Sequence, residues 1–457
     1  MFIKQELEHI KVTTMRIDNI TIENFRGINR LHMDFAPGAT ILIGKNGAGK
    51  TTLVSALHKA LSFIFSKDTS VKTDKNLTSG IPSLKVEKFN KKNDGHFNEQ
   101  TKMTEPSISI QAEASWKDEK ILWEMMASTS TYAIQQSKYT KAFRQFYGIY
   151  KRTDELPVLA FYSDGFPHVS SNNTKISKTT EKQRNYGYYQ WNDEKSCAEV
   201  WIDRLERTWK ENDRYDRKIK DVDPDDKTSR ETLLKEKVLF AKEYESILIT
   251  LKKFTAKCED WSVADIYVDV DDEELYLKFD TGQRCKFRLL PAGYKRLLYM
   301  VLDIAYRAYR LNGAVEKTEG IVIIDELDLH LHPYLERNVL GWLLDTFPHI
   351  QFIITTHSPL VVANADARDG VNAVYLMTSG GQPKKLPNLY GVDYDAALRD
   401  FMGTPSRNEK VKELIENYDI YGRIGLERER EETRNALVAL VGDEQANEMI
   451  GGLHGVH

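Results

Sequence analysis

Apolar and polar side chains follow two different patterns along this chain, and each pattern predicts a different kind of strand. Residues 17–25 and 31–35 alternate apolar with polar side chains, which is typical of strands with one buried face. Residues 321–324 and 352–354 are unbroken apolar runs, and residues 39–43 are apolar apart from Thr40, as expected of strands buried on both faces of a sheet. The two alternating strands should be antiparallel edge strands that lead into the strand at 39–43. The pattern therefore predicts an α/β fold with a mixed sheet.

Two further stretches predict helices outside this sheet. From about residue 194 to 259 the sequence is highly charged, with two helically spaced apolar stripes separated by an acidic break at 221–226. Two antiparallel helices fit this pattern and would form an α-helical arm inserted into the fold. The stripes contain no long heptad run, which excludes a long coiled coil. Residues 386–457 predict a helical tail.

A change of composition marks one more segment. From about residue 66 to 104, Lys, Asn, Asp, Ser and Gly dominate, and the apolar residues follow neither the alternation of a strand nor the spacing of a helix. We therefore predict a mobile insertion. We call the predicted α/β domain the head. Its N-terminal half is predicted at 1–130 and its C-terminal half at 260–385, with an inserted helical and accessory region at 131–259 between them. A tail for oligomerisation or partner binding is predicted at 386–457.

The composition limits where the protein works and what it binds. The 457 residues are 41% hydrophobic and 29% charged, and the formal net charge of −4 gives no general attraction to nucleic acid or acidic membranes. Three widely spaced cysteines, Cys197, Cys258 and Cys285, fit a reducing cytosol better than a disulfide framework or a cysteine metal site. No apolar run is long enough to span a bilayer, and the N-terminus lacks a signal-peptide core. We expect a cytoplasmic protein with no membrane partner.

A phosphate-binding loop directly follows the buried strand at 39–43. Residues 44–51 read Gly-Lys-Asn-Gly-Ala-Gly-Lys-Thr, the complete G-x-x-x-x-G-K-[ST] pattern, and helical spacing follows them. Glycines let backbone N–H groups converge on phosphate, while Lys50 would reach the β- and γ-phosphates and the Thr51 hydroxyl would bind Mg²⁺. The residues predicted to bind ATP are Gly44, Lys45, Asn46, Gly47, Ala48, Gly49, Lys50, Thr51 and Thr52.

Two carboxylates and a histidine follow the other two buried strands. Asp325 and Glu326 end the strand at 321–324, where Asp325 is predicted to bind Mg²⁺ and Glu326 to polarise the attacking water. His357 follows the strand at 352–354 and would hydrogen-bond the γ-phosphate and sense its presence. Lys50, Glu326 and His357 are therefore the predicted catalytic residues of an ATPase.

Two other groups of residues have simpler interpretations. His330 and His332 have a spacing that suits a metal ion, but the nearby sequence supplies no further ligand. Residues 138–152 mix basic and aromatic side chains, which can bind single-stranded nucleic acid. The same pattern describes an amphipathic helix that buries its aromatic face, and we favour that interpretation.

Together these motifs resemble the ATP-binding-cassette (ABC) class of ATPases, and more closely its AAA_21/OLD-like branch, which is related to RecF and SMC proteins. Asn24-Phe25-Arg26-Gly27, the phosphate loop, residues 325–333 and residues 355–359 stand where that branch has its motifs. The resemblance implies an ABC-type P-loop ATPase head in which Arg26 also contacts the nucleotide. Gln111 would be the Mg²⁺-contacting glutamine of that class, but its position in mid-strand favours an ordinary strand residue.

The same resemblance implies that two copies close over ATP. In this class a Leu-Ser-x-Gly signature at a helix start completes the nucleotide site of the other subunit, and residues 290–296 fill that position. Gly293 would then contact ATP in trans, and Asp328 would lie between the subunits. Pro291 replaces the signature serine; backbone N–H groups remain for the contact, but slow hydrolysis is predicted.

Residues 386–405 resemble the tail of ATPases from Septu-type anti-phage defence and related retron systems. This resemblance implies a homodimer or higher even oligomer, an HNH-type nuclease subunit as partner, and DNA or retron nucleic acid as a further candidate partner. A generic helical dimerisation element would give the same pattern. About a hundred residues follow His357, too few for a Toprim nuclease domain, so we expect nuclease activity to belong to a partner.

Three functions are open on the sequence alone. The first is an ATP-binding and ATP-hydrolysing defence subunit that dimerises around ATP and regulates an associated nuclease. The second is a RecF- or SMC-like repair ATPase that acts directly on DNA. The third is a nucleotide-gated scaffold with little turnover, which the proline at position 291 favours.

Overall fold

The computed structural model describes residues 14–67, 77–163, 165–166, 182–191, 198–258, 261–380, 382–403 and 408–451. The strands are β1 (Arg16–Phe25), β2 (Ile28–Asp34), β3 (Ala39–Ile43), β4 (Phe97–Asn98), β5 (Met103–Thr104), β6 (Ser107–Trp116), β7 (Glu119–Ser128), β8 (Val158–Tyr162), β9 (Val263–Val268), β10 (Leu275–Phe279), β11 (Arg284–Lys286), β12 (Gly320–Ile324), β13 (Ile350–Thr355), β14 (Asn372–Leu376) and β15 (Lys384–Lys385).

The helices complete the description of these residues. They are α1 (Lys50–Leu61), α2 (Ser137–Thr153), α3 (Ala198–Asp221), α4 (Lys227–Thr255), α5 (Ala292–Asn312), α6 (Pro333–Thr346), α7 (Pro359–Ala363), the short α8 (Tyr394–Ala396), α9 (Glu409–Ile424), α10 (Glu427–Val441) and α11 (Asp443–Gly451). Shorter 3₁₀ turns occupy Ser62–Phe65, Arg184–Tyr188 and Phe287–Leu289, and a short π-helical turn occupies Ala397–Phe401.

A six-stranded sheet carries the motifs singled out in the sequence. Its strand order is β15-β14-β3-β13-β12-β8, and all of its strands except β15 run parallel to their neighbours. Every residue of β3, β12 and β13 is buried, which explains why their sequences are mostly apolar. Because the strands are parallel, the segments after β3, β12 and β13 meet at one edge of the sheet.

A separate antiparallel sheet contains the two alternating strands, in the order β2-β1-β6-β7. The prediction that β1 and β2 lead into the sheet of β3 is therefore wrong. Their alternation reflects burial on one face only, so they form a layer of their own. Gly38 allows the crossing between the layers, since a Cβ atom there would lie 2.7 Å from the Val371 side chain.

A buried glutamine connects the two sheets. Gln351, at the start of β13, donates from Nε2 to the carbonyls of Ile17 and Ala36 at 2.9 and 2.8 Å. Its Oε1 atom accepts the backbone N–H of Ile17 at 2.8 Å. The side chain is 1% exposed, so these bonds satisfy backbone groups that water does not reach. Strand β13 is thereby fixed to the layer formed by the start of the chain.

The inserted arm consists of α3 and α4 and is followed by a three-stranded sheet, β11-β10-β9. The Asp226 side chain caps α4 by accepting the Ser229 backbone N–H at 3.0 Å. The buried Glu243 of α4 binds Arg204 of α3 through two hydrogen bonds of 2.5 and 2.6 Å. An α-helical arm inserted into a mixed α/β head is thus confirmed.

The chain divides into two units, Met1–Gly391 and Val392–His457. In the second unit, α9, α10 and α11 surround a small core of Ile415, Leu437, Ala446 and Ile450. The predicted helical C-terminal tail is confirmed. The finer division of the chain into four parts stays a prediction.

Part of the predicted mobile insertion is described. Residues 68–76 lie outside the described residues, whereas residues 77–104 contain turns and the short pair β4–β5. Within them Asp94 is completely buried. Among the helices that the structure describes, none is both long and apolar enough to cross a membrane.

Candidate nucleotide-binding site

The loop between β3 and α1 has a backbone that only glycines allow. Gly44, Gly47 and Gly49 have φ values of 146°, 79° and 95°. A Cβ atom on Gly44 would lie 2.4 Å from the Met377 carbonyl oxygen, so a side chain there would collide with the backbone after β14. Gly49 is the N-cap of α1, so the helix starts at the end of the loop. The N–H groups of its first turn, which have no partner within the helix, are therefore next to the loop.

Lys50 lies inside this loop. Its side chain is 7% exposed, and Nζ donates to the carbonyl oxygens of Gly44 at 2.7 Å and Lys45 at 3.3 Å. Burial lowers the pKa of Lys50, while the carboxylates of Asp325, Glu326 and Asp328 oppose that shift. The ammonium group is thus bound by two loop carbonyls and attracted by the acids that follow β12.

Thr355, the last residue of β13, organises the acid pair. Its hydroxyl donates to Asp325 Oδ1 at 2.5 Å and accepts the backbone N–H of Glu326 at 2.8 Å. Asp325 is 4% exposed, and Glu326 has a φ of 53°, in the left-handed region. A single threonine therefore positions both predicted acids. This role of Thr355 was not predicted from the sequence.

The segment around His357 is attached to the residues after the acid pair. Thr356 donates its hydroxyl to Asp328 Oδ1 at 2.5 Å, and the His357 backbone N–H donates to the same oxygen at 3.2 Å. Ser358 caps α7 and donates its hydroxyl to Glu336. Asp328, expected between two subunits, thus also has partners within its own chain.

These groups surround a cavity of about 360 Å³. The predicted site residues that line it are Asn46, Gly47, Ala48, Gly49, Lys50, Thr51, Thr52, Asp325, Glu326 and His357. The cavity is also lined by residues 27–31, Thr355, Thr378 and Gly380. Gly44 and Lys45 lie at the start of the loop and provide the carbonyls that Lys50 binds. The phosphate loop, the acid pair and the histidine therefore line one cavity, and their predicted roles stay predictions.

Arg26 is the residue before Gly27, which lines the cavity. Its Nε donates to Asp94 Oδ1 at 2.9 Å, and its Nη1 donates to the Ser55 hydroxyl of α1 at 3.1 Å. Lys59, one turn further along α1, lies 3.2 Å from the other Asp94 oxygen. A contact of Arg26 with nucleotide stays a prediction, because in this structure the side chain binds Asp94 and α1.

Gly293 lies in the first turn of α5, after the exposed residues Pro291 and Ala292. It is buried, and a Cβ atom there would lie 2.7 Å from the His330 carbonyl oxygen. Packing within the chain therefore requires a glycine at this position. The predicted contact with the ATP of a second copy stays a prediction.

The family model of the AAA ATPase domain (AAA_15) matches residues 15–362, which include the phosphate loop, the acid pair and His357. This chain belongs to the AAA ATPase domain family. The sequence prediction of an ATPase is confirmed by this match.

Several known proteins are similar over most of the chain. "Retron Ec83 probable ATPase" of Escherichia coli is 24% identical over 461 residues, which cover 88% of this chain and 79% of that protein. "Septu protein PtuA" of Bacillus thuringiensis is 24% identical over 418 residues, which cover 88% of this chain and 89% of that protein.

Among solved structures, the SMC head domain of Pyrococcus furiosus bound to the C-terminal domain of ScpA is similar, with 13% identity and a TM-score of 0.43. The similarity covers 81% of this chain and 96% of that one. The recombination mediator RecF bound to a nucleotide analogue is 13% identical, with a TM-score of 0.37, over 83% of this chain and all of that one.

The cavity of this AAA ATPase domain suits a magnesium nucleotide. Thr51 provides a hydroxyl and Asp325 a carboxylate, both hard oxygen donors of the kind that Mg²⁺ prefers. The N–H groups at the start of α1 and the buried Lys50 ammonium are suited to phosphate. The donor set therefore fits ATP and Mg²⁺ together.

The other sequence candidates lie elsewhere. His332 caps α6, because its Nδ1 accepts the Tyr334 backbone N–H at 3.3 Å. In the described ranges no cluster of three or more His, Cys, Asp or Glu side chains could hold a metal ion. Gln111 is exposed on β6, in the antiparallel sheet. Helix α2 buries Tyr139, Phe143, Phe146 and Tyr147, which supports its interpretation as an amphipathic helix.

Proposed function

We propose that this chain is the ATP-hydrolysing subunit of an anti-phage defence complex of the retron or Septu type. The observation that carries the proposal is the convergence of the phosphate loop, the acid pair and His357 on one cavity. Its support as a defence protein is the similarity, over 88% of the chain, to proteins named as a retron ATPase and a Septu protein.

The residues around the cavity have distinct parts in the proposed reaction. Loop N–H groups and Lys50 bind the ATP phosphates, and Thr51 and Asp325 hold Mg²⁺, which supplies positive charge to the phosphate oxygens when bound. Glu326 polarises the attacking water. His357 donates a hydrogen bond from its ring to a γ-phosphate oxygen and thereby distinguishes ATP from ADP.

Two copies of the chain close over ATP in this proposal, as a homodimer or a higher even oligomer in the cytoplasm. The exposed start of α5, at Pro291 and Ala292, is the surface that meets the nucleotide of the other copy. Because a proline stands where a serine hydroxyl is expected, backbone N–H groups make this contact and turnover is slow.

An HNH-type nuclease is the proposed partner, and DNA or retron nucleic acid is a further ligand of the complex. The ATPase controls the nuclease by changing the assembly when ATP is bound, hydrolysed or depleted. The tail, with its exposed residues Ile420, Ile424 and Leu426, is the proposed contact with the nuclease.

The test is the native mass of the protein expressed together with its genomic neighbours, measured with and without ATP. A stable complex that contains a nuclease subunit and changes with ATP is the expected result. A dimer that recruits no neighbour but binds DNA, with ATPase activity stimulated by that DNA, would overturn the defence proposal in favour of a repair ATPase.

A second candidate function, a nucleotide-gated scaffold, is favoured by one observation. Pro291 lies at the N-cap of α5 and has no hydroxyl to offer a phosphate. A scaffold predicts ATP binding with negligible turnover. Turnover that exceeds that of the Glu326→Gln variant would exclude this candidate.

A further inference from the structure

A buried arginine on α5 binds the backbone of both acid residues. Arg296 is 1% exposed, and its Nη2 donates to the carbonyl oxygens of Asp325 at 3.2 Å and Glu326 at 3.0 Å. Its Nη1 donates to the carbonyl oxygen of Phe166 at 2.6 Å. The guanidinium group thus lies directly behind the peptide that carries the acid pair.

Glu326 has a backbone that needs such support. Its φ of 53° lies in the left-handed region, which is unfavourable for a residue other than glycine. Its N–H donates to the Thr355 hydroxyl at 2.8 Å, and the following N–H, of Leu327, donates to the Thr355 carbonyl at 3.0 Å. The Glu326 carbonyl accepts from Arg296 at 3.0 Å and also from the Leu329 backbone N–H at 3.1 Å. Both polar groups of this peptide unit are therefore held, from two different elements.

The direction of a side chain follows from its backbone. In the left-handed conformation the Glu326 side chain points into the cavity, which it lines together with Lys50 and Thr51. If the peptide relaxed to an ordinary conformation, the Cα–Cβ bond would turn and the carboxylate would move with it. The contacts from Arg296 and Thr355, together with the Leu329 N–H, therefore hold the backbone that sets the direction of the carboxylate.

We propose that Arg296 is a positioning residue for ATP hydrolysis. It does not touch the substrate; it acts through Glu326 by holding the peptide that aims this carboxylate at the attacking water. A guanidinium group suits this role because it is planar, always charged and carries several N–H donors in fixed directions. A lysine would carry the same charge but could not donate to three carbonyls in the same geometry. The inference rests on the proposed role of Glu326.

The test compares conservative variants of two buried arginines on the same helix. Arg307 of α5 is 2% exposed and also donates to backbone carbonyls, those of Gly187 and Tyr189 at 3.0 Å, but these carbonyls belong to a segment that does not line the cavity. Arg307→Lys therefore controls for the loss of a buried guanidinium. Arg296→Gln, which keeps two N–H donors but no charge, is measured as well as Arg296→Lys. The test then still works if one of the two variants does not fold.

We expect Arg296→Lys to lower kcat about 10- to 100-fold, the size of effect that a displaced catalytic group produces. The Kd for ATP should stay within about twofold of wild type, because the phosphate loop is untouched. Combined with Glu326→Gln, Arg296→Lys should lower the rate no further, because residues that act through one group are not additive. Arg307→Lys should lower Tm without this selective loss of kcat.

The outcomes separate this inference from the proposed function. If Glu326→Gln lowers turnover but neither Arg296 variant does, the inference is wrong and the ATPase assignment stands. If kcat, ATP affinity and Tm fall together in the Arg296 variants, as a purely structural role requires, the inference is also wrong. If wild type and Glu326→Gln both show negligible turnover of ATP, the proposed function fails, and the role of Arg296 fails with it.

Discussion

The carboxylate of Asp94 accepts a hydrogen bond from Arg26 Nε at 2.9 Å, and the carbonyl oxygen of Asp94 accepts one from the Arg26 backbone N–H, also at 2.9 Å. This pair joins a stretch that composition alone describes as a polar insertion to the turn before the nucleotide cavity. Lys59 of α1 lies 3.2 Å from the same carboxylate. One buried acid therefore fixes both the turn and the helix of the phosphate loop.

We expect Asp94→Asn to destabilise the protein by about 3 kcal/mol, because breaking a buried ion pair leaves cations without their counter-charge. Chemical denaturation monitored by fluorescence measures the change. Glu99→Gln is the matched control, since Glu99 forms only an exposed pair with Lys102 and should change nothing measurable. Equal stability of the two variants would show that the Asp94 pair contributes no stability.

Lys50→Ala should abolish ATP binding and, with it, any defence phenotype. The variant removes the ammonium group that the loop carbonyls hold next to the acid pair. Equilibrium binding of a fluorescent ATP analogue tests the prediction, and Lys67→Ala, an exposed lysine outside the cavity, is the control for lost charge. Wild-type affinity in Lys50→Ala would refute the assignment of the phosphate loop.

Glu326→Gln should retain ATP binding while kcat falls by about 10²- to 10⁴-fold, the usual contribution of a general base. Phosphate release in single-turnover experiments gives the rate, and a binding titration gives the affinity. Glu316→Gln, at an exposed position, should turn over like wild type. Unchanged turnover in Glu326→Gln would mean that another group activates the water.

ATP affinity should decrease as pH rises, and the decrease should begin below the ordinary lysine pKa of 10.5. Burial lowers the pKa of Lys50, so the ammonium group loses its proton earlier than an exposed lysine does, and the attraction to phosphate is lost with it. The Kd for ATP is measured across the alkaline range for wild type and Lys50→Arg. The guanidinium group stays charged, so the arginine variant should be much less sensitive to pH. The same slope in both proteins would assign the effect to another group.

Local signals made part of this molecule predictable. The phosphate loop is one contiguous motif. The strands at 39–43 and 321–324 are mostly apolar, so their burial could be predicted from their composition. The helical arm and the helical tail followed from apolar spacing within single segments. In each case the residues that decide the structure are neighbours in sequence, which is why the fold class could be read from the chain.

The support around the site could not be predicted in the same way. Asp94 contacts a residue 68 positions away, and Arg296 contacts carbonyls 30 and 130 positions away. Backbone carbonyls have no sequence signature, so nothing in the pattern around Arg296 distinguishes it from an ordinary helical arginine. The prediction about β1 and β2 was wrong for a related reason: alternation shows that one face is buried, but it does not show which sheet a strand joins.

The position of β3 in its sheet has a consequence for how the protein is made. This strand is synthesised before its two neighbours, β13 and β14, which begin more than 300 residues later, at Ile350 and Asn372. Until both have been synthesised, the strand that carries the phosphate loop has no partner in its sheet, and such distant pairings are slow to form. A nascent chain that stops before residue 350 is therefore expected to be unable to bind ATP, so truncated products of translation would not compete with the finished ATPase for nucleotide.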